Sequence, residues 1–242
     1  MLRTVQIFMV IVALSLNLAA QDVKDYRIPL LGEQAPSFVA QSTQGEIKFP
    51  DDYFAKWKIL FSHPADFTPV CSSEILTLAS MQEEFSKLNT VLLVMSTDGI
   101  NSHLEWIHSL ESVDYNGLGY QKINFPIISD VDLEVSRLYG MVEANSGRSQ
   151  DIRGVFIIDP ENEIRSIYFY PANTGRNLDE VLRTLLALQI SEKNGVLTPA
   201  NWDPGEQVMI PSPKTVQESQ KLQSKNDPSL KMITWYMWLK TL

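Results

Sequence analysis

Apolar and polar positions along this chain alternate in two different periods, and the switches between them outline the fold. Trp57-Lys58-Ile59-Leu60-Phe61-Ser62 is a compact apolar run of strand length ending at His63-Pro64. From Val70 to Leu88 the apolar residues recur at helical spacing: Ile75, Leu78, Ala79, Phe85 and Leu88 share a face, with Glu83, Glu84 and Lys87 outward. Val91 to Met95 reads as a buried strand, and Asn101 to Leu110 as a second helix capped by Asn101 or Ser102. Phe125 to Asp130 reads as a short strand entering a loop, and Leu133 to Tyr139 as a short helix ended by Gly140. Arg153 to Asp159 and Ile164 to Tyr170 are apolar strands separated by Pro160-Glu161-Asn162, a hairpin signal. Asn177 to Gln189 is a third long helix, with Leu178, Val181, Leu182, Leu185 and Leu188 on one face. Upstream, Asp25 to Phe49 reads as short strands and turns punctuated by Gly32, Pro36 and Gly45.

Strands alternating with helices, then a hairpin and a closing helix, imply an α/β sandwich with a mixed central sheet. The pattern breaks near Lys193-Asn194-Gly195, and Pro199, Pro204, Gly205, Pro211 and Pro213 then predict an extended, irregular segment. Val216 to Lys225 is polar and helical in pattern, and the chain closes on the aromatic run Met232 to Trp238. A core domain over 25–192 and a C-terminal segment over 193–242 are therefore expected.

The start of the chain stands apart. Arg3, an apolar stretch from Val5 to Leu18, and Ala19-Ala20 resemble a secretory signal peptide over residues 1–20. The stretch is short and interrupted by Gln6, Ser15 and Asn17, so no stable membrane span is expected. The position where a leader peptidase usually finds a small residue holds Leu18 or Asn17. The expectation is export, periplasmic or secreted; the alternative is a cytoplasmic protein.

Composition narrows the function. The net charge of −9 is spread along the chain and repels phosphate backbones, which argues against a nucleic-acid partner. His103 and His108 are five apart on a predicted helix and share no face, so neither a metal site nor another cofactor is expected. Trp57 and Trp106 read as core or interface residues. The single cysteine, Cys71, rules out an internal disulfide framework.

A strand delivers the chain to His63, Pro64 turns it, and Pro69 begins a helix. Cys71 then falls in the first helical turn, where unpaired N–H groups and the positive end of the dipole favour a thiolate. Thr68 lies three residues earlier, where its hydroxyl can cap the helix or hold a substrate oxygen.

The string Pro64-x-x-x-Thr68-x-x-Cys71 matches the active-site motif of the peroxiredoxins. The longer run from His63 to Cys71 resembles their one-cysteine, peroxiredoxin-six-like branch. Arg153-Gly154-Val155-Phe156-Ile157-Ile158-Asp159 and Tyr170-Pro171-Ala172-Asn173-Thr174-Gly175-Arg176-Asn177 are further matching pieces. The resemblance implies a thioredoxin-like fold over 25–192 and a dimerisation segment over 193–242. It also implies reduction of hydrogen peroxide and organic hydroperoxides, with Cys71 attacking the O–O bond and becoming a sulfenic acid. By the same resemblance Pro64 shields the sulfur, Thr68 hydrogen-bonds the peroxide, and Arg153 supplies positive charge from a distant strand. Glu74 either orients that arginine or is a solvated first-turn carboxylate. His63 either contacts sulfur or substrate, or ends its strand. Arg176 either adds to the field at the site or binds a helix end.

This chain departs from its relatives in three places. Ser72-Ser73 stands where many have a threonine pair, a mild change. The aromatic segment 232–238 lacks the extra cysteines of some relatives of this length, so an external thiol, a thioredoxin-like protein or a small molecule, must reduce the sulfenic acid. The lipase motif of some animal members falls on Phe54 to Lys58 with Lys56 at the serine position, so lipase activity is not expected. The exposed aromatic tail and the resemblance imply a homodimer, with larger rings as an alternative. A redox sensor that uses the same cysteine shares the motif, and the sequence does not separate it from an enzyme.

Overall fold

The computed structural model describes residues 27–142 and 150–242; the leader expected over 1–20 lies outside the described residues. Its centre is β3 (Trp57–Ser62), every residue of which is buried. A strand buried on both faces needs apolar layers on both sides, and the residues divide accordingly. Ile59 and Phe61 point into one apolar cluster, and Leu60 into another.

β3 pairs in parallel with β4 (Thr90–Ser96), which pairs in parallel with β5 (Ile127–Ser129). On its other side β3 runs antiparallel to β6 (Arg153–Ile158), and β6 to β7 (Ile164–Tyr170). An antiparallel hairpin of β1 (Phe38–Ser42) and β2 (Gly45–Phe49) adds to β5, giving the order β2-β1-β5-β4-β3-β6-β7. This is the expected mixed sheet of a thioredoxin-like fold.

Three helices cover the first cluster: α1 (Pro69–Lys87), α2 (Ile100–Leu110) and α4 (Leu178–Asn194). The second cluster packs around Phe38, Phe49, Tyr139 and Phe156, beneath the short α3 (Glu134–Leu138). Helix ends differ from expectation where local chemistry decides them. Neither Asn101 nor Ser102 caps α2; the N-cap is Gly99 in extended conformation, and Ser102 and His103 donate to its carbonyl. The third long helix runs past Gln189 to Asn194 and stops at Gly195, whose φ of +60° a residue without Cβ adopts freely. Asn177 is its N-cap, accepting a hydrogen bond from the Glu180 amide.

The C-terminal segment holds more structure than its composition suggested. α5 (Val216–Gln223) is the expected polar helix. β9 (Leu230–Thr234) and β10 (Met237–Lys240) form a hairpin, and β8 (Val208–Met209) pairs with β10. The aromatic run therefore folds as strands, not as a loose end. A small core of Val196, Trp202 and Val208 packs on Ala187 and anchors the segment to α4. The hairpin tip stays open, with Trp235 61% and Tyr236 45% exposed. Among the described residues no helix is long and apolar enough to cross a membrane.

Candidate active site

The register of β3 against β6, Phe61 opposite Val155, sets the first residue of β6 beside the last turn of chain before α1. Between β3 and α1, Pro64 is buried, Phe67 takes a left-handed φ of +54°, and Thr68 leads into Pro69 at the start of the helix. Cys71 follows in the first turn and is fully buried. The Thr68 side chain does not cap the helix. Its hydroxyl donates to the Ala65 carbonyl at 2.9 Å, and only its carbonyl accepts from a helix amide, that of Ser72 at 2.9 Å. With its one proton committed, the Thr68 hydroxyl is left as an acceptor.

Arg153 opens β6 and reaches across to the helix start. Its Nη1 donates to Cys71 Sγ at 3.3 Å and to Glu74 Oε2 at 2.7 Å. Its Nε and Nη2 both donate to the Ala172 carbonyl, at 3.1 and 2.6 Å. The side chain is buried, 2% exposed. A cation so buried needs anchors on several sides, and Glu74 supplies the charge.

Glu74, one helical turn beyond Cys71, is a buried hub and not a solvated first-turn carboxylate. Besides Arg153 it accepts from the Arg176 backbone N–H at 2.7 Å, from Arg176 Nε at 2.9 Å and from Arg176 Nη2 at 2.7 Å. Burial raises the Glu74 carboxyl, but the charge and hydrogen bonds of Arg176, with Arg153 beyond, outweigh it and hold the group below its ordinary value. Arg176 also donates from Nη1 to the Ser62 and Gly154 carbonyls, each at 2.8 Å, and lies over the Phe61 ring. It therefore ties the ends of β3 and β6 to the first turns of α1, with Glu74 between it and the arginine on the sulfur.

His63 follows β3 directly, with both ring nitrogens buried and without hydrogen-bond partners among the described residues. Its ring lies 4.9 Å from that of Trp106, whose Nε1 donates to Ser72 Oγ at 3.3 Å. Burial pushes the His63 ring down to about 3, against the pull of Asp66. It is therefore neutral near pH 7, and its 3.6 Å approach to Asp66 is not an ion pair. Asp66 pairs instead with His103, Nδ1 to Oδ2 at 2.8 Å. Sequence patterning misses the Asp66–His103 pair, because it weighs His103 only beside His108, where no metal site is expected. The signal lay in the helix period, since His103, Trp106 and Leu110 are the buried face of α2.

A second buried acid stands two residues before Arg153. Neither carboxylate oxygen of Asp151 has a hydrogen-bond partner among the described residues. Burial lifts its carboxyl well above 3.8, with Asp130 and Asp98 adding to the shift and Ser136 partly offsetting it. Ser136 gives its hydroxyl proton to Asp130 and not to Asp151. The folded protein therefore holds a proton that the unfolded chain releases, and stability falls as pH rises from about 3.8 to the folded value. His63 acts in the opposite sense, since the unfolded ring binds a proton below about 6.5 that the folded one takes up only near 3. Each slope is about 1.4 kcal/mol per pH unit, so the two oppose one another where they overlap. Thermal unfolding as pH rises from about 4 should show Asp151→Asn gaining stability more steeply than the wild type, in which the two slopes oppose one another. Parallel profiles for the two proteins would show that Asp151 carries no such proton.

Among the described residues no group of His, Cys, Asp and Glu side chains is placed to hold a metal ion. The arrangement offers one sulfur nucleophile, a guanidinium on it, and a hydroxyl acceptor beside it. Residues 31–167 match the AhpC/TSA family, and residues 187–226 match the C-terminal domain of 1-Cys peroxiredoxin. A peroxiredoxin of Methanosarcina mazei is 49% identical over 214 residues, covering 88% of this chain and 98% of its own. One from Thermotoga maritima is 44% identical, covering 83% and 93%. Among solved structures, the yeast mitochondrial 1-Cys peroxiredoxin superposes with a TM-score of 0.78 at 37% identity, covering 89% of this chain and all of its own. A cysteine-to-serine mutant of the peroxiredoxin 6 of Arenicola marina gives 0.75 at 32%, covering 88% and 99%.

Proposed function

The chain belongs to the AhpC/TSA family and is a thiol-dependent peroxidase of the 1-Cys type, for which we propose the following course of reaction at Cys71. The Cys71 thiolate attacks one oxygen of the hydroperoxide; an S–O bond forms as the O–O bond breaks. The departing oxygen takes a proton and leaves as water or an alcohol, and Cys71 is left as a sulfenic acid. One external thiol then condenses with the sulfenic acid, releasing water and leaving a mixed disulfide. A second thiol exchanges with that disulfide and restores Cys71.

The single observation that carries this reading is the Arg153 Nη1 contact with Cys71 Sγ, held in place by Glu74 and Ala172. A guanidinium so fixed stabilises both the thiolate and the charge that develops as the O–O bond opens. Thr68 accepts from the hydroperoxide O–H and aligns the bond with sulfur. Pro64 is buried like Cys71, and a nucleophile with no exposed surface favours a small, linear electrophile. His63 is a neutral, buried ring packed near Trp106, and Glu74 with Arg176 orients Arg153.

The external reductant follows from Cys71 being the sole cysteine, since no second thiol exists in the chain to resolve the sulfenic acid. In the yeast mitochondrial 1-Cys peroxiredoxin the thiol is resolved via glutathione/thioredoxin systems, which supports a reductant of that class here. The open aromatic tip at Trp235 and Tyr236 supports assembly as a homodimer. The apolar leader pattern supports export, and the N-terminal mass of the mature protein tests it.

The function is tested by stopped-flow mixing of the reduced protein with hydrogen peroxide, read by tryptophan fluorescence and by mass at Cys71. One oxygen should be gained per chain far faster than a free thiol allows, and sustained turnover should follow when a thiol is added. Cys71→Ser should lose both. Turnover retained in that variant, or wild-type oxidation no faster than that of a free thiol, would end the proposal.

A further inference from the structure

The loop that carries Pro64 and Thr68 is short and conformationally costly, because Phe67 sits at φ +54°, which side chains with a Cβ rarely adopt. Such a conformation persists only where surrounding contacts over-determine it. The contacts converge on Asp66. Its backbone N–H donates to Asp98 Oδ2 at 2.7 Å, and Asp98 is itself fixed by Ser96 Oγ at 3.1 Å and, through its carbonyl, by Ser129 Oγ at 2.8 Å. Its carboxylate meets His103 Nδ1 at 2.8 Å, and His103 Nε2 reaches the Ile128 carbonyl at 3.2 Å. His103 is fully buried and Asp66 is 7% exposed. Neither side chain touches the sulfur, and neither takes part in the proposed reaction.

We propose that Asp66 and His103 are positioning residues: a buried strut from α2 that sets the active-site loop, and with it the Thr68 acceptor, at the distance from Cys71 that peroxide attack requires. The strut stands on rigid elements on one side and on the strained loop on the other. Its loss lets Phe67 relax toward an ordinary backbone conformation and carries Thr68, the next residue, with it. Cys71 is held separately, by α1 and by Arg153, so the thiol itself keeps its surroundings. Peroxide reactivity and plain thiol reactivity should therefore separate.

The inference rests on the peroxidase reading, and its test distinguishes the failure of each. An asparagine amide nitrogen stands in for His103 Nδ1, whereas a glutamine amide nitrogen stands in for Nε2. His103→Gln should lose the bond to Asp66 and react with hydrogen peroxide about tenfold to a hundredfold more slowly. His103→Asn should keep that bond and recover most of the rate. Alkylation by iodoacetamide at the same pH should stay close to wild type in both. Ile164→Ala, in the opposite cluster, is the control for lowered stability without loss of peroxide rate. Should His103→Gln fail to fold, Asp66→Asn is read the same way. Equal peroxide rates for His103→Gln, His103→Asn and wild type would overturn the proposal, as would a parallel fall in alkylation and oxidation. A wild type that reacts no faster than a free thiol would instead sink the peroxidase reading.

Discussion

Arg153→Met is expected to slow the reaction of Cys71 with hydrogen peroxide by about 10²–10³-fold, the usual cost of removing one preorganised donor from a transition state. The reason is geometric. The Nη1 of Arg153 is shared between Cys71 Sγ and Glu74 Oε2, while Nε and Nη2 grip the Ala172 carbonyl. These bonds fix the guanidinium before substrate arrives, so no reorganisation is needed as charge moves onto the departing oxygen. Arg153→Lys should recover little, because an ammonium on a flexible stem cannot span the sulfur, the carboxylate and the carbonyl together. Stopped-flow oxidation rates of the three proteins decide the matter. A methionine variant within about threefold of wild type would mean that the contact with sulfur contributes little to the barrier.

Much of this arrangement was legible in the sequence, and its gaps have physical causes. The order of strands and helices followed from apolar periodicity, since each element of the core packs one face against a shared sheet. Pro64, Pro69 and Cys71 could be placed on a strand-loop-helix junction because proline constrains backbone locally. Other features depend on distant partners and leave no local trace. The choice of Glu74 between hub and solvent turns on Arg153 and Arg176, which lie 79 and 102 positions away. Thr68 could cap or not cap, and what decides is the Ala65 carbonyl in a loop whose turn is set by Phe67. Arg153 opens an apolar strand, and its burial is possible because Glu74 and Ala172, from other parts of the chain, satisfy it. No element is read in the aromatic tail, because the prolines from Pro199 to Pro213 set the irregular reading of the segment although they precede the β9–β10 hairpin.

Glu74→Gln should cost the most stability of any single change at the site. The carboxylate accepts four hydrogen bonds, and every one comes from an arginine: one from Arg153 and three from Arg176. An amide keeps the size but turns one acceptor into a donor against guanidinium N–H groups, and it leaves two buried cations without a counter-charge. Breaking a buried pair in this way costs about 3–5 kcal/mol. For a chain of this size that corresponds to a fall in Tm of roughly 6–20 °C. Acid should reach part of the same loss in the wild type. The Glu74 carboxyl is held below its ordinary 4.5, so the stability it contributes is present above that value and is lost as pH falls through the lower folded value. The glutamine variant should lack that acid limb. Arg153, released on one side, should also leave the sulfur, so the peroxide rate falls together with stability although Glu74 never touches the thiol. Thermal unfolding at pH 7 and pH 4, with oxidation rates at pH 7, measures both effects on one variant. A Tm within about 1 °C of wild type would place the hold on Arg153 at Ala172 alone, since a change so small is worth well under 1 kcal/mol.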